Sequence, residues 1–83
     1  MMYFVYILEC ADDTLYVGIT TDLKRRIEEH NHDKKGARYT RGRRPVRVVY
    51  SEECDTKSIA LKRELEIKSW SRGEKLGLIG KLR

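Results

Sequence analysis

Short apolar runs separated by polar turns predict three β-strands. Residues 3–8 are rich in aromatic and β-branched side chains, and residues 15–19 form a second run of this kind. Turn-forming residues lie between them at 11–14, so the two runs predict a β-hairpin. A further apolar run over residues 46–50 predicts a third strand.

Apolar residues spaced three and four apart predict two helices. The first runs from about Asp22 to His30, and the oxygens of Thr21 and Asp22 are suited to accept from its free first-turn N–H groups. The second begins near residue 55 or 56 and ends near residue 70, and a shorter glycine-interrupted segment spans residues 76–82. The pattern therefore predicts one small α/β (α+β) domain over residues 1–83, in which helices flank a three-stranded, mainly antiparallel sheet.

Positive charge is concentrated in one predicted loop. The chain has 83 residues, of which 37% are charged, and a net charge of +5. Seven cations and no acidic residue lie between positions 34 and 47. Such a cluster favours a polyanionic partner, and nucleic acid is preferred to a membrane because no amphipathic basic helix accompanies the cluster. The alternative is a solvated loop that keeps the protein soluble.

The sequence carries neither a membrane-span pattern nor a zinc-ligand pattern. No apolar run approaches the ~20 residues that a helix needs to cross a bilayer. Cys10 and Cys54 lack the spacing of metal ligands. We therefore expect a cytoplasmic protein with free thiols.

The first helix places two basic side chains beside its apolar stripe. Leu23 and Ile27 form the stripe, and Arg26 and His30 lie together along one flank of it. Arg25 points the other way, to solvent. An arginine and a histidine four residues apart form a rigid cationic fork, which suits a phosphate.

Glu64 is unexpected where it lies on the second helix. The polar face of that helix contains Lys62, Glu66 and Ser69, and Glu64 lies roughly opposite, between two apolar stripes. The stripes consist of Ile59, Ile67 and Trp70 on one side and Leu61 and Leu65 on the other. An inward carboxylate is costly unless it is paired or bound to a cation. An ion pair with Arg63, Lys68 or Arg26 and a hard divalent metal explain it equally well.

Tyr6 and Tyr16 fall in the two strands of the hairpin, which can bring their rings side by side. Gly18 lies on the same face as Tyr16 and leaves space beside that ring for a ligand backbone. Taken alone, two such tyrosines are typical half-buried core residues. The arginine, histidine and glutamate described above favour a functional site instead.

These residues together resemble the GIY-YIG nuclease superfamily. Val5-Tyr6-Ile7 and Tyr16-Val17-Gly18 are similar to its two tyrosine motifs, and Arg26, His30 and a helical Glu64 follow in the same order. Residues 36–45 are similar to a segment of the small stand-alone bacterial members. The first motif departs from the family because its glycine and isoleucine are missing, although its tyrosine is kept. The absence of an appended DNA-binding domain is a second departure.

The resemblance implies hydrolysis of phosphodiester bonds at one divalent metal ion, Mg²⁺ or Mn²⁺, held by Glu64. Such an ion keeps several waters, so one carboxylate and the substrate phosphate suffice beside them. Arg26 would stabilise the charge of the transition state. Tyr6 would orient or deprotonate the attacking water, its pKa lowered by the metal and by nearby Arg and Lys residues. Tyr16 would bind the phosphate or assist as base, unless the two roles are exchanged. His30 would orient the phosphate or relay a proton.

The basic loop and the solvent side of the first helix would hold the nucleic acid. The residues expected to contact it are Arg25, Lys34, Lys35, Arg38, Tyr39, Arg41, Arg43 and Arg44. Tyr39 would stack on an unpaired base or, alternatively, anchor the loop on the sheet.

Three functions are compatible with this reasoning. The first is a metal-dependent DNA endonuclease that selects branched or frayed structures rather than a sequence, alone or with a protein partner. The second is a nucleic-acid-binding module with little or no cleavage activity of its own. The third, a basic RNA-associated protein, is preferred if Glu64 is salt-bridged and unable to bind a metal.

Overall fold

The computed structural model describes residues 1–32, 40 and 42–80. The strands of this part of the chain are β1 (Tyr3–Glu9), β2 (Leu15–Thr20) and β3 (Arg47–Cys54). Its helices are α1 (Leu23–His32), α2 (Lys57–Lys68) and α3 (Arg72–Gly80). This architecture confirms the predicted α+β fold, a three-stranded antiparallel sheet with helices around it.

The central strand of the sheet is β1. The strand order is β2-β1-β3, and β1 pairs with both neighbours in the antiparallel sense. The hairpin between β1 and β2 is closed by a hydrogen bond from Cys10 N to Thr14 O at 2.9 Å. Asp13 takes a left-handed conformation there, with φ of 66°, which aspartate tolerates better than most residues. The middle of β1 is fully buried because side chains cover both of its faces.

Strand β3 is longer than the sequence pattern predicts. The apolar run ends at Tyr50, whereas the strand continues to Cys54 through Glu52 and Glu53. Glutamate is disfavoured in strands, but pairing with β1 continues as far as Tyr3 opposite Cys54. Glu52 is also held by Tyr50, whose hydroxyl donates to Oε2 at 2.6 Å. Long-range pairing therefore overrides the local preference.

The two faces of the sheet carry different helices. Val5 and Ile7 point to one face, where they pack with Ala60 and Ile67 of α2 and Ile79 of α3. On the opposite face a second cluster is formed by Tyr6, Leu8, Cys10 and Val46. Leu23 and Ile27 of α1 pack against that cluster, as the helical spacing predicts. Helix α1 therefore packs on the Tyr6 face.

Helix starts agree with the side-chain signals in the sequence. Asp22 Oδ1 accepts from Arg25 N at 3.1 Å, and Thr56 Oγ1 accepts from Ile59 N at 3.2 Å. Helix α1 continues two residues beyond the predicted end, to His32. Among the residues that the structure describes, no helix is long and apolar enough to span a membrane.

The two apolar stripes predicted for α2 are largely wrong. Ala60 and Ile67 are buried, but Ile59 and Leu61 are exposed and Leu65 is 72% exposed. Apolar and charged residues alternate around this helix without one dominant face, so periodicity does not reveal which narrow side contacts the sheet.

Replacing a buried and an exposed apolar residue of α2 should therefore have unequal effects. Ile67→Ala removes a fully buried side chain and should lower the free energy of unfolding by about 2–5 kcal/mol. Leu65→Ala changes an exposed position and should stay within about 0.5 kcal/mol of the wild type. Urea unfolding of both variants measures these free energies. Equal losses in the two variants would contradict the packing of α2 on the sheet through Ile67.

Candidate active site

Tyr6 and Tyr16 lie on the same face of the hairpin, as predicted. Tyr6 pairs with Gly18 across the strands, and Tyr16 lies two residues away on β2. Their ring centroids are 6.5 Å apart. The space beside Gly18 is already filled, because a Cβ placed there would lie 2.5 Å from the Tyr6 Oη and 2.7 Å from its Cζ. The expectation that Gly18 leaves room for a ligand is therefore wrong, since the glycine accommodates the Tyr6 ring instead.

His30 connects α1 to this pair of tyrosines. Its side chain is fully buried, and its Nε2 lies 2.9 Å from the Tyr6 Oη. Its Nδ1 lies 2.8 Å from the Oγ1 of Thr40, which is also fully buried. The Tyr16 ring meets the imidazole edge-on, with centroids 5.2 Å apart. Sequence reasoning missed Thr40 because it is uncharged and stands inside a basic segment.

The imidazole of His30 is neutral at pH 7. Burial lowers its pKa from 6.5 to about 4, and the nearby charges of Arg26 and Arg44 act in the same direction, against a smaller opposing effect of Glu29. The predicted cationic fork is therefore wrong as regards His30. Burial removes its positive charge and keeps its ring from the surface, so of the two predicted cations only Arg26 is charged.

Arg26 lies at the edge of the tyrosine cluster. Its side chain is 24% exposed, and its Nη1 pairs with Glu29 Oε1 at 2.9 Å. Burial disfavours the guanidinium charge, but hydrogen bonds with Glu29 and Tyr6 outweigh burial and raise its pKa. The preceding Arg25 is 62% exposed, as the helical wheel predicts. Neighbouring arginines of α1 thus face different environments, one the site and the other solvent.

The Tyr6 hydroxyl is protonated at neutral pH. Burial raises the pKa of Tyr6 to about 12; Tyr16 and Glu64 add to this effect, while Arg26 opposes it. Arg26 lowers the Tyr6 pKa, as expected of a nearby cation, but burial has the larger effect and raises it. The same balance places Arg26 and Glu64 within electrostatic reach of one phenol.

Glu64 projects from α2 and is half-buried, with 18% of its side chain exposed. Its Oε2 lies 3.5 Å from the Nζ of Lys68, one turn along the helix and half exposed. An exposed pair of this spacing is weak. Arg63, another partner considered from the sequence, binds Glu52 and Glu66 instead. The ion-pair explanation of Glu64 is therefore correct in part, and Lys68 is its partner.

The donor set around Glu64 fits a hard metal ion with few protein ligands. In residues 1–32, 40 and 42–80, no three His, Cys, Asp or Glu side chains are grouped closely enough to form a metal cage. A single half-buried carboxylate facing an exposed lysine instead matches Mg²⁺ or Mn²⁺, which keep several waters. The residues present are compatible with such an ion.

Two arginines of the basic loop anchor it beside the site. Arg44 donates through Nε to His30 O and through Nη2 to Glu29 O, at 3.5 Å for the latter, at the C-terminal end of α1. Arg43 Nε donates to Asp12 Oδ2 in the hairpin turn at 2.9 Å. The other expected nucleic-acid contacts of the loop, Lys34, Lys35, Arg38, Tyr39 and Arg41, lie outside the described residues.

A buried phenol and imidazole, flanked by one cation and one carboxylate, define a compact polar site on an α+β sheet. The chain belongs to the GIY-YIG family of nuclease domains, because the family model of the GIY-YIG catalytic domain matches residues 2–76. Its relatives include small proteins of the UPF0213 group. This membership confirms the resemblance carried by the two tyrosine motifs.

The relatives match nearly the whole chain. A UPF0213 protein of Desulfotalea psychrophila is 58% identical over 77 residues, which are 93% of this chain and 70% of that protein. One from Staphylococcus aureus is 53% identical over 77 residues, 93% of each chain. The solution NMR structure of the UPF0213 protein BH0048 from Bacillus halodurans is 46% identical, covering 96% of this chain and 84% of that one, with a TM-score of 0.62. The solution NMR structure of protein EF2693 from E. faecalis is 33% identical, covering 99% of this chain and 86% of that one, with a TM-score of 0.67.

The low pKa of His30 predicts that acid destabilises the fold. The unfolded chain binds more protons than the folded one between the unfolded pKa of 6.5 and the folded pKa of about 4. The free energy of unfolding should therefore decrease as the pH falls from 6.5 towards 4. His30 should contribute up to about 3 kcal/mol of this decrease.

Urea unfolding at a series of pH values measures this contribution. His30→Gln should lose the His30 part of the pH dependence and keep the part due to carboxylates. The matched control is His32→Gln, because His32 is an exposed residue of the same helix and should leave the wild-type profile unchanged. Identical profiles for the wild type and His30→Gln would contradict the assignment.

Proposed function

We propose that this protein is a divalent-metal-dependent endonuclease that hydrolyses DNA phosphodiester bonds and selects branched or frayed structures rather than a sequence. The observation that carries the proposal is the cluster of Tyr6, Tyr16 and His30, in which the Tyr6 hydroxyl lies 2.9 Å from His30 Nε2 and the two tyrosine rings are 6.5 Å apart. Arg26 and Glu64 are near enough for their charges to act on Tyr6. A guanidinium for the phosphate, a carboxylate for a metal and a phenol for the water are the groups that this reaction needs. Family membership supports the same conclusion.

Glu64 would hold the metal ion, Mg²⁺ or Mn²⁺, through its carboxylate. When bound, the ion supplies positive charge that stabilises the phosphate in the transition state. Lys68 would have to give up its pair with Glu64, and its half-exposed position makes that exchange inexpensive. Metal and lysine would thus compete for one carboxylate.

Arg26 would bind a non-bridging oxygen of the scissile phosphate. Its partial exposure gives a phosphate access to the guanidinium, and the pair with Glu29 holds the side chain in place. As negative charge grows on the phosphate oxygens, a positioned cation stabilises the transition state more than the ground state.

Tyr6 and His30 would move the proton of the attacking water. The phenol is a poor base by itself, with a pKa of about 12, but its hydroxyl lies 2.9 Å from the His30 Nε2. As the water loses a proton to Tyr6 Oη, Tyr6 passes its own proton to His30, and the water oxygen bonds to phosphorus. The bond to the leaving sugar oxygen breaks, and that oxygen takes a proton from solvent. Tyr16 would bind the phosphate or assist as base.

The basic loop would hold the nucleic-acid backbone close to this face. Arg43 and Arg44 tie the C-terminal part of the loop to the hairpin turn and to α1, next to His30. Contacts to the backbone do not depend on base identity, which supports recognition of structure rather than sequence. Both cysteines are free and buried, which supports action in a reducing cytoplasm, alone or with a protein partner.

A nucleic-acid-binding module with little cleavage of its own is the second candidate. The observation that favours it is the pair between Glu64 and Lys68, which occupies the carboxylate in the protein alone. The raised pKa of Tyr6 points the same way, because a protonated phenol does not by itself activate water.

Removing the Glu64 carboxylate should abolish cleavage. With linear, flapped and branched DNA and either Mg²⁺ or Mn²⁺, we expect the wild type to cut branched substrates best. Glu64→Gln should lose at least about a hundredfold in rate. The control is Glu66→Gln on the same helix, whose side chain pairs with Arg63 and lies away from the site. No metal-dependent cutting of any substrate by the wild type would favour the binding module.

The two arginines of α1 should separate catalysis from binding. Arg26→Ala should lose on the order of 10²–10³ in cleavage rate while the fold remains intact. Arg25→Ala, which alters an exposed side chain, should only weaken DNA binding, by less than about tenfold. Single-turnover cleavage and DNA affinity measured over a salt series distinguish the two effects. Equal losses of rate in both variants would show that Arg26 has no special place at the phosphate.

A further inference from the structure

Three polar side chains form a continuous chain through the Tyr6 face. The Tyr6 hydroxyl lies 2.9 Å from His30 Nε2. On the other side of the imidazole, Nδ1 lies 2.8 Å from Thr40 Oγ1. Tyr6, His30 and Thr40 are each at most 1% exposed, so water does not compete for these bonds.

Donor and acceptor strengths set the direction of this chain. A phenol O–H is a stronger donor than a neutral imidazole N–H, and an imidazole nitrogen is a stronger acceptor than a phenol oxygen, so the Tyr6 hydroxyl donates to His30 Nε2. A neutral imidazole carries one hydrogen, which must then be on Nδ1 and be donated to the Thr40 oxygen.

We propose that Thr40 is a positioning residue: by accepting a hydrogen bond from His30 Nδ1–H, it fixes the imidazole tautomer in which Nε2 is free to receive the proton of Tyr6. This inference rests on the proposed nuclease function for its catalytic meaning. The tautomer is inferred from the two hydrogen bonds of the imidazole and from the chemistry of their partners, and it does not depend on that function.

The backbone around Thr40 is held on several sides. Arg43 N donates to Thr40 O at 3.0 Å, and Arg43 O in turn accepts from Ala11 N in the hairpin turn at 2.9 Å. Slightly further along, Asn31 and Val46 exchange hydrogen bonds of 2.7 and 3.0 Å between α1 and the start of β3. These anchors allow the Thr40 hydroxyl to act as a fixed acceptor rather than a mobile one.

Loss of the Thr40 hydroxyl should change the tautomer of the His30 imidazole. Without the hydroxyl, Nδ1–H would lose its Thr40 acceptor inside the protein, which is costly. The other tautomer avoids this by placing the hydrogen on Nε2, from which it points at the Tyr6 oxygen. Tyr6 then has no acceptor in His30, and the transfer of its proton is blocked.

The tautomer is measured directly by long-range ¹H–¹⁵N NMR of the imidazole rings. The chain has two histidines, so exposed His32 serves as an internal reference in the same spectrum. At about pH 8, above the ordinary histidine pKa, His30 of the wild type should carry its hydrogen on Nδ1. Thr40→Val keeps the shape and removes the hydroxyl, and should shift His30 towards the Nε2–H form. Thr40→Ser should restore the wild-type pattern.

Cleavage kinetics test the catalytic part. Thr40→Val should lower kcat about a hundredfold with KM for DNA unchanged, and Thr40→Ser should recover most of it. Thermal unfolding of each variant checks that the fold is retained. Nε2–H on His30 in the wild type, an unchanged tautomer in Thr40→Val, or no recovery in Thr40→Ser would overturn the proposal. Failure of the wild type to cut any DNA would refute the proposed nuclease function and leave the tautomer result standing.

Discussion

The hydrogen bond between the Tyr6 hydroxyl and His30 Nε2 is the contact on which the site depends. It joins the central strand to the helix that covers it, across 24 positions of sequence. Both side chains are buried, so neither finds water as a substitute partner, and breaking the bond would leave a polar group unsatisfied. Gly18 makes the arrangement possible, since any side chain there would collide with the Tyr6 ring. The same hydrogen bond therefore holds α1 on the sheet and positions the polar groups of the site.

Burial divides the candidate site into two zones with different tasks. Tyr6 and His30 lie in the dry zone, where desolvation keeps the phenol protonated and the imidazole neutral. Arg26 and Glu64 lie in the half-exposed zone, where a phosphate or a metal ion has access to their charges. Neutral groups are thus buried behind charged groups, an order that suits the hydrolysis of a phosphodiester that we propose.

Much of the fold was predictable because its signals are local. The aromatic and β-branched runs with a polar turn between them predicted the hairpin, and Asp22 and Thr56 cap the helices that they were expected to start. Strand β3 and the buried side of α2 were predicted less well. Glu52 lies in the strand because β1 pairs with it. In α2 the apolar Leu65 is exposed, whereas the charged Arg63 is only partly exposed and Ile67 is buried.

The sequence by itself determined the order and spacing of Tyr6, Tyr16, Arg26, His30 and Glu64, and with it the resemblance to a nuclease family that the family comparison confirmed. Only the tertiary structure decided the state of these groups. A histidine four residues from an arginine looks cationic, whereas burial between Tyr6 and Thr40 makes it neutral. Motif spacing is a property of the chain, but desolvation and hydrogen-bond partners depend on segments far apart in sequence, which meet only when the protein folds.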